Sequence, residues 1–276
     1  MPFAAAPDVL CHLRQRLAAQ VPASIEENRG FPLGAEEALR PLGLPAIDSM
    51  LAGGFALGAL HELAPSAPHH LGAAMGFALA VATLDSSGNT GGRHALWIQT
   101  DFAGLEGGAP YGPGLDLFGL AMERMLVLSV ARPIDALWAA EEALKSRALA
   151  AVVAELPQQG AAADLTATRR LSLAARAGHG LGLLIRHQRT PLASAAMTRW
   201  EVAGAPSTPD RFGGIGRTTF DLVLKRNRRG PSGRFIVSWD HVARVFIPQA
   251  LPLGLATTAH DRSDHAHIAR LGARFG

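Results

Sequence analysis

Apolar positions fall in two rhythms that alternate along this chain. Short continuous apolar runs at residues 59–63, 94–99, 125–130, 149–154 and 181–185 read as buried strands. Between them, residues 71–84, 133–147 and 164–177 carry apolar residues at helical spacing, and a shorter helix is expected near 115–123, after a Gly-rich loop at 104–114. Strand and helix alternating in this way predict an α/β fold with a largely parallel sheet flanked by helices.

After residue 195 the helical rhythm stops. Residues 197–202, 219–225, 233–239 and 242–247 read as strands, with Phe220, Leu222 and Leu224 sharing one face and Arg228-Arg229-Gly230-Pro231 supplying a hairpin turn. This predicts an antiparallel extension on the C-terminal side of the sheet. Ahead of the core, Val9, Leu10, Leu13 and Leu17 recur at helical spacing behind Asp8, which predicts a helix over 8–20 followed by a Pro- and Gly-bearing connector to residue 45. Residues 248–276 keep no period until a short Ile268 to Leu271 patch, and read as a flexible tail. The expected organisation is thus 1–45, 46–247 and 248–276.

Composition narrows the function. Half of the 276 residues are hydrophobic (48%), enough for one sizeable core, and there is no apolar run of about 18 residues and no leader pattern, so a cytoplasmic protein is expected with no membrane association. The single cysteine, Cys11, has no partner for a disulfide or a structural zinc site. Net charge is only +3, too small to argue for nucleic acid, but lysine occurs only at Lys145 and Lys225, so the positive charge is nearly all guanidinium.

The chemistry gathers around one stretch. Ile47-Asp48-Ser49-Met50-Leu51-Ala52-Gly53-Gly54-Phe55-Ala56-Leu57-Gly58-Ala59-Leu60-His61-Glu62-Leu63 resembles the approach to a RecA-type phosphate-binding loop, where an Asp-bearing turn and a Gly-Gly loop precede a strand ending in Glu-Leu. Such a loop works because glycine amides at a helix N-terminus cradle phosphates, a Lys reaches the outer ones and a hydroxyl holds magnesium. Here the segment is Ala64, Pro65, Ser66, Ala67, Pro68, His69, His70, Leu71 and Gly72: Leu71 stands in the Lys position, Gly72 in the hydroxyl position, and two prolines remove amide donors.

That departure, together with the order of the later elements, is similar to the ImuA family, a resemblance covering about residues 40–247. It implies a RecA-like accessory protein of error-prone translesion synthesis, acting with an inactive Y-family-like polymerase subunit and a DnaE-type polymerase, and in contact with RecA and DNA. With Leu71, Pro65 and Pro68 in the altered loop, no cofactor and no efficient ATP hydrolysis of its own are expected.

Further residues are placed by the resemblance. Asp101 stands where a RecA-type ATPase carries its water-activating Glu, and is read either in that role or as a turn or helix-start residue. Ala154 or Glu155 falls at the magnesium-coupled acid, with an ion pair between Glu155 and an arginine such as Arg186 as the structural reading. The two DNA-binding segments of RecA correspond to residues 158–164 and 188–194, too short for a recombinase. Arg217, Lys225, Arg226, Arg228, Arg229 and Arg234 form a basic group expected to contact DNA or a neighbouring subunit. In the tail, Ile268, Leu271 and Phe275 are the expected partner anchors, and His260, His265 and His267 read as solvated, so no metal site is expected. Two other functions stay open: a DNA-stimulated ATPase using Asp101, Glu155, Arg226 and Arg228 with ATP and magnesium, and a cell-division inhibitor of the SulA type.

Overall fold

The computed structural model describes residues 38–84, 94–156, 164–187, 193–209 and 212–249. The predicted N-terminal helix, the tail beyond Gln249 and most of the two short segments at 158–164 and 188–194 lie outside these residues, whereas Pro248 and Gln249, expected in the tail, belong to the last strand. Eleven strands and six α-helices occur among them. A small antiparallel pair, β1 (Leu39–Arg40) and β2 (Phe55–Ala56), encloses α1 (Pro45–Met50). Asp48 fixes this turn, its two carboxylate oxygens accepting from the amides of Leu42 (2.8 Å) and Leu44 (3.0 Å). Leu42 and Leu44 are thereby buried in the main core.

The chain then alternates as predicted: β3 (Ala59–Pro65), α2 (Leu71–Thr83), β4 (His94–Thr100), α3 (Asp101–Gly107), α4 (Gly112–Leu117), β5 (Met125–Val130), α5 (Pro133–Lys145), β6 (Leu149–Leu156), α6 (Leu165–Gly178) and β7 (Leu181–Arg186). Four strands complete it: β8 (Thr198–Gly204), β9 (Thr218–Asn227), β10 (Gly233–Asp240) and β11 (Val245–Gln249). They form one nine-stranded sheet in the order β11-β10-β9-β8-β3-β7-β6-β4-β5, parallel from β5 to β8 and antiparallel beyond.

The sheet separates two cores. On one face α2 packs with Leu63, Trp97, Val153, Trp200 and Phe220; on the other, α5 and α6 pack with Leu60, Leu96, Ile98, Val152 and Leu184. Alternate residues of each parallel strand serve opposite cores, which is why these strands are apolar throughout rather than every second residue.

Two local expectations are corrected. The 104–114 segment is mostly helical: α3 starts at Asp101 because the Thr100 hydroxyl accepts from the Ala103 amide at 3.1 Å, and the short helix expected near 115–123 begins earlier, as α4 at Gly112–Leu117, with a single 3-10 turn at Met122–Arg124 after it. The last strand begins at Val245, not 242, because one Asp240 oxygen accepts from both Val242 and Ala243 amides at 2.9 Å and closes the turn first.

Candidate functional site

In open α/β sheets, ligands bind beyond the carboxyl ends of the parallel strands. Here that edge carries the segment from Ala64 to Gly72, running from β3 through a 3-10 turn (Pro68–His70) into α2. Three of its amide donors are committed within the fold. The Ser66 amide bonds the Val202 carbonyl at 2.8 Å, and the amides of His70 and Leu71 close the turn on Ala67 and Pro68. His70 Nδ1 accepts from the Gly204 amide at 3.2 Å, and the His69 ring lies against it with centroids 4.1 Å apart. Leu71 is turned onto the apolar core, whereas Gly72 is exposed.

Beneath this loop, on the same sheet face, lie Gln99, Glu155 and His187. The register Ile98↔Ala154 and Glu155↔Ile185 brings them side by side. Glu155 is fully buried; one oxygen accepts from His187 Nε2 at 2.7 Å, while the other, like Gln99 Oε1, has no partner. Asp101 is exposed in the first turn of α3, close to the positive end of that helix. Gln99 and His187 were not singled out from the sequence, although strand alternation places both on Glu155's face.

The expected Glu155–Arg186 pairing does not form. Arg186 follows Leu184 on the opposite face, where its guanidinium bonds Glu62; Arg199 bonds the other oxygen of Glu62 at 3.2 Å. Burial, and secondarily the neighbouring Arg199 charge, lowers the Arg186 pKa to about 10. Two guanidiniums thus share one buried carboxylate.

The basic group divides into two kinds. Arg217, Lys225 and Arg234 are paired with Asp240 (2.9 Å), Glu201 (3.3 Å) and Asp221 (2.5 Å). Arg217 also lies at the far end of the ten-residue β9 from Arg228, roughly 35 Å away along an extended strand, so it is not part of one cluster. Arg226, Arg228 and Arg229 instead donate to main-chain carbonyls: Arg226 to Ser194 at 2.9 Å, Arg228 to Ala196 at 3.1 Å and Ser194 at 3.3 Å, and Arg229 to Ala52 at 3.3 Å. For Arg226 and Arg228, carbonyl acceptors orient the guanidinium without cancelling its charge. Burial, then the charges of Arg228 and Arg199, lowers the pKa of Arg226. Ser194 closes the second short segment, so Arg226 and Arg228 brace its base.

Among the described residues no group of three His, Cys, Asp or Glu side chains is placed to hold a metal ion, and no helix is long and apolar enough to cross a membrane.

The parallel sheet with its antiparallel extension and a strand-loop-helix at the carboxyl edge define a RecA-like fold. The structure is similar to the crystal structure of the RadB recombinase, with a TM-score of 0.53 and 19% identity over 77% of this chain and all of that one. No protein-family model matches the chain. Its sequence is 29% identical to Protein ImuA from Caulobacter vibrioides, in strains NA1000 / CB15N and ATCC 19089 / CIP 103742 / CB 15, over 247 residues covering 85% of this chain and 94% of that protein.

Proposed function

We propose that this protein is a RecA-like accessory factor of DNA-damage tolerance that works as a scaffold without turning over ATP. The observation that carries this reading is the loop from Ala64 to Gly72. Where a nucleotide would need a lysine and open amides, the chain presents Leu71 turned into the core, two prolines and a Ser66 amide held by Val202. The acid that would serve magnesium, Glu155, is buried and engaged by His187. These residues do not fit ATP and magnesium.

In this reading the chain connects an inactive Y-family-like polymerase subunit, a DnaE-type polymerase, RecA and DNA. DNA is held by Arg226, Arg228 and Arg229, which main-chain carbonyls orient, and the polymerase-like subunit by Ile268, Leu271 and Phe275. Millimolar ATP with magnesium is expected to leave the melting temperature unchanged, whereas a ligand at 100 times its dissociation constant adds about 2.7 kcal/mol. A clear shift that Asp101→Asn abolishes would establish the second reading, a DNA-stimulated ATPase. The observation favouring that alternative is the pair of partnerless buried oxygens on Gln99 and Glu155 below the loop.

A further inference from the structure

At the end of the sheet opposite the loop, a pocket of about 290 Å³ opens between the start of β4, the last turn of α2 and the β10–β11 turn. Its walls are small and apolar, including Ala82, Ala95 and Leu120, while its charged lining is Arg124, Arg244 and Asp116. Neither guanidinium forms an ion pair or side-chain hydrogen bond among the described residues, so the pocket carries a net positive charge.

Arg244 is held there against local preference. It has φ +56, a left-handed conformation better suited to Gly or Asn, in a turn closed by its amide bonding the Asp240 carbonyl at 2.7 Å. Gly119 lies directly under its stem: a Cβ at that position would stand 2.7 Å from Arg244 Cδ. A strained arginine seated on a glycine, sharing a pocket with a second unpaired arginine, is an arrangement for meeting an anion.

At about 290 Å³ the pocket lies at the lower edge of the roughly 300–1,000 Å³ spanned by small-molecule sites, and has room for one side chain with its flanking atoms. Leu117, Met122, Val242 and Val245, each within two residues of a lining residue in the chain, are 54%, 63%, 82% and 44% exposed. We propose that this pocket is a docking site for an acidic side chain of a partner protein whose flanking residues are apolar. The carboxylate bridges Arg124 and Arg244, and the neighbouring residues of the partner cover the surrounding apolar side chains.

The test follows the side-chain Nε–Hε resonances of Arg124 and Arg244 in the full chain during titration with N-acetyl-glutamate methylamide, its glutamine counterpart, inorganic phosphate and acetyl-Leu-Glu-Leu-amide. Saturable shifts are expected with the glutamate compound and not with glutamine, and tighter binding with the tripeptide. Arg124→Gln and Arg244→Gly should each weaken binding about tenfold. Glycine suits the backbone at 244, so that variant keeps its melting temperature. Equal response to glutamine, tighter binding of phosphate, equal affinity for the single residue and the tripeptide, or undiminished binding by both variants would each overturn the proposal.

Discussion

Acidification from pH 7.5 to 5 should destabilise this fold by an amount assignable to one residue, His61. It is buried on β3, and both ring nitrogens are engaged: Nε2 with the Ala56 carbonyl at 3.0 Å and Nδ1 with the Thr198 hydroxyl at 2.8 Å. A carbonyl only accepts, so Nε2 carries the proton. The Thr198 oxygen already accepts from Trp200 Nε1 at 2.9 Å, so its own hydrogen points at Nδ1, which must be an acceptor. Neutral imidazole satisfies this chain, and imidazolium opposes two donors. Burial is the main cause that lowers the His61 pKa from 6.5 to about 4, with the Ala56 bond working the other way. Because the folded value lies below the unfolded one, the unfolded chain binds the proton first. Stability is complete above pH 6.5 and is lost as pH falls toward 4. By linkage, the loss is about 2 kcal/mol at pH 5 and approaches roughly 3.4 kcal/mol below pH 4. Urea unfolding of the wild type and of His61→Gln at both pH values isolates this contribution, since other titrating groups are common to both. The variant is less stable at pH 7.5, and that gap should narrow by about 2 kcal/mol at pH 5. Parallel pH curves for the two proteins would refute the tautomer and burial argument together.

Glu62→Gln leaves Arg186 and Arg199 beside each other without their shared carboxylate and should cost about 3–5 kcal/mol in urea unfolding; a loss under about 1 kcal/mol would show that water already screens the group. Replacing Arg226, Arg228 and Arg229 by Ala should weaken binding to all DNA sequences alike and lower the salt slope by roughly one unit for each phosphate no longer neutralised, as read by fluorescence anisotropy across salt concentrations; an unchanged slope moves the DNA site elsewhere. A chain ending at residue 250 should keep its melting temperature but fail to co-purify the polymerase-like subunit, and a lowered melting temperature would instead make the tail part of the core. Trp200→Ala, emptying a site where the indole stacks on Phe55 at 5.7 Å, should cost about 3–5 kcal/mol.

Helix and strand identity along this chain was written in local sequence, because periodicity is a property of neighbours: apolar runs gave the parallel strands, and alternation at Phe220, Leu222 and Leu224 gave the antiparallel extension. The altered loop was equally legible, since proline and leucine at its functional positions remove amides and charge wherever the segment sits. Local sequence was silent on which strands become neighbours. Only the order β8-β3-β7-β6-β4 places Gln99 and His187 beside Glu155, and Glu62 beside Arg186 on the other face. Charge density along the chain also grouped Arg217 and Arg234 with Arg226 and Arg228, whereas the antiparallel register paired the first two with Asp240 and Asp221 and left the others on carbonyls. Arg124 and Arg244 are 120 positions apart in the sequence and share a pocket because β4, β5 and the β10–β11 turn converge. Electrostatic partners are chosen by distance in space, and that distance exists only once the sheet has closed.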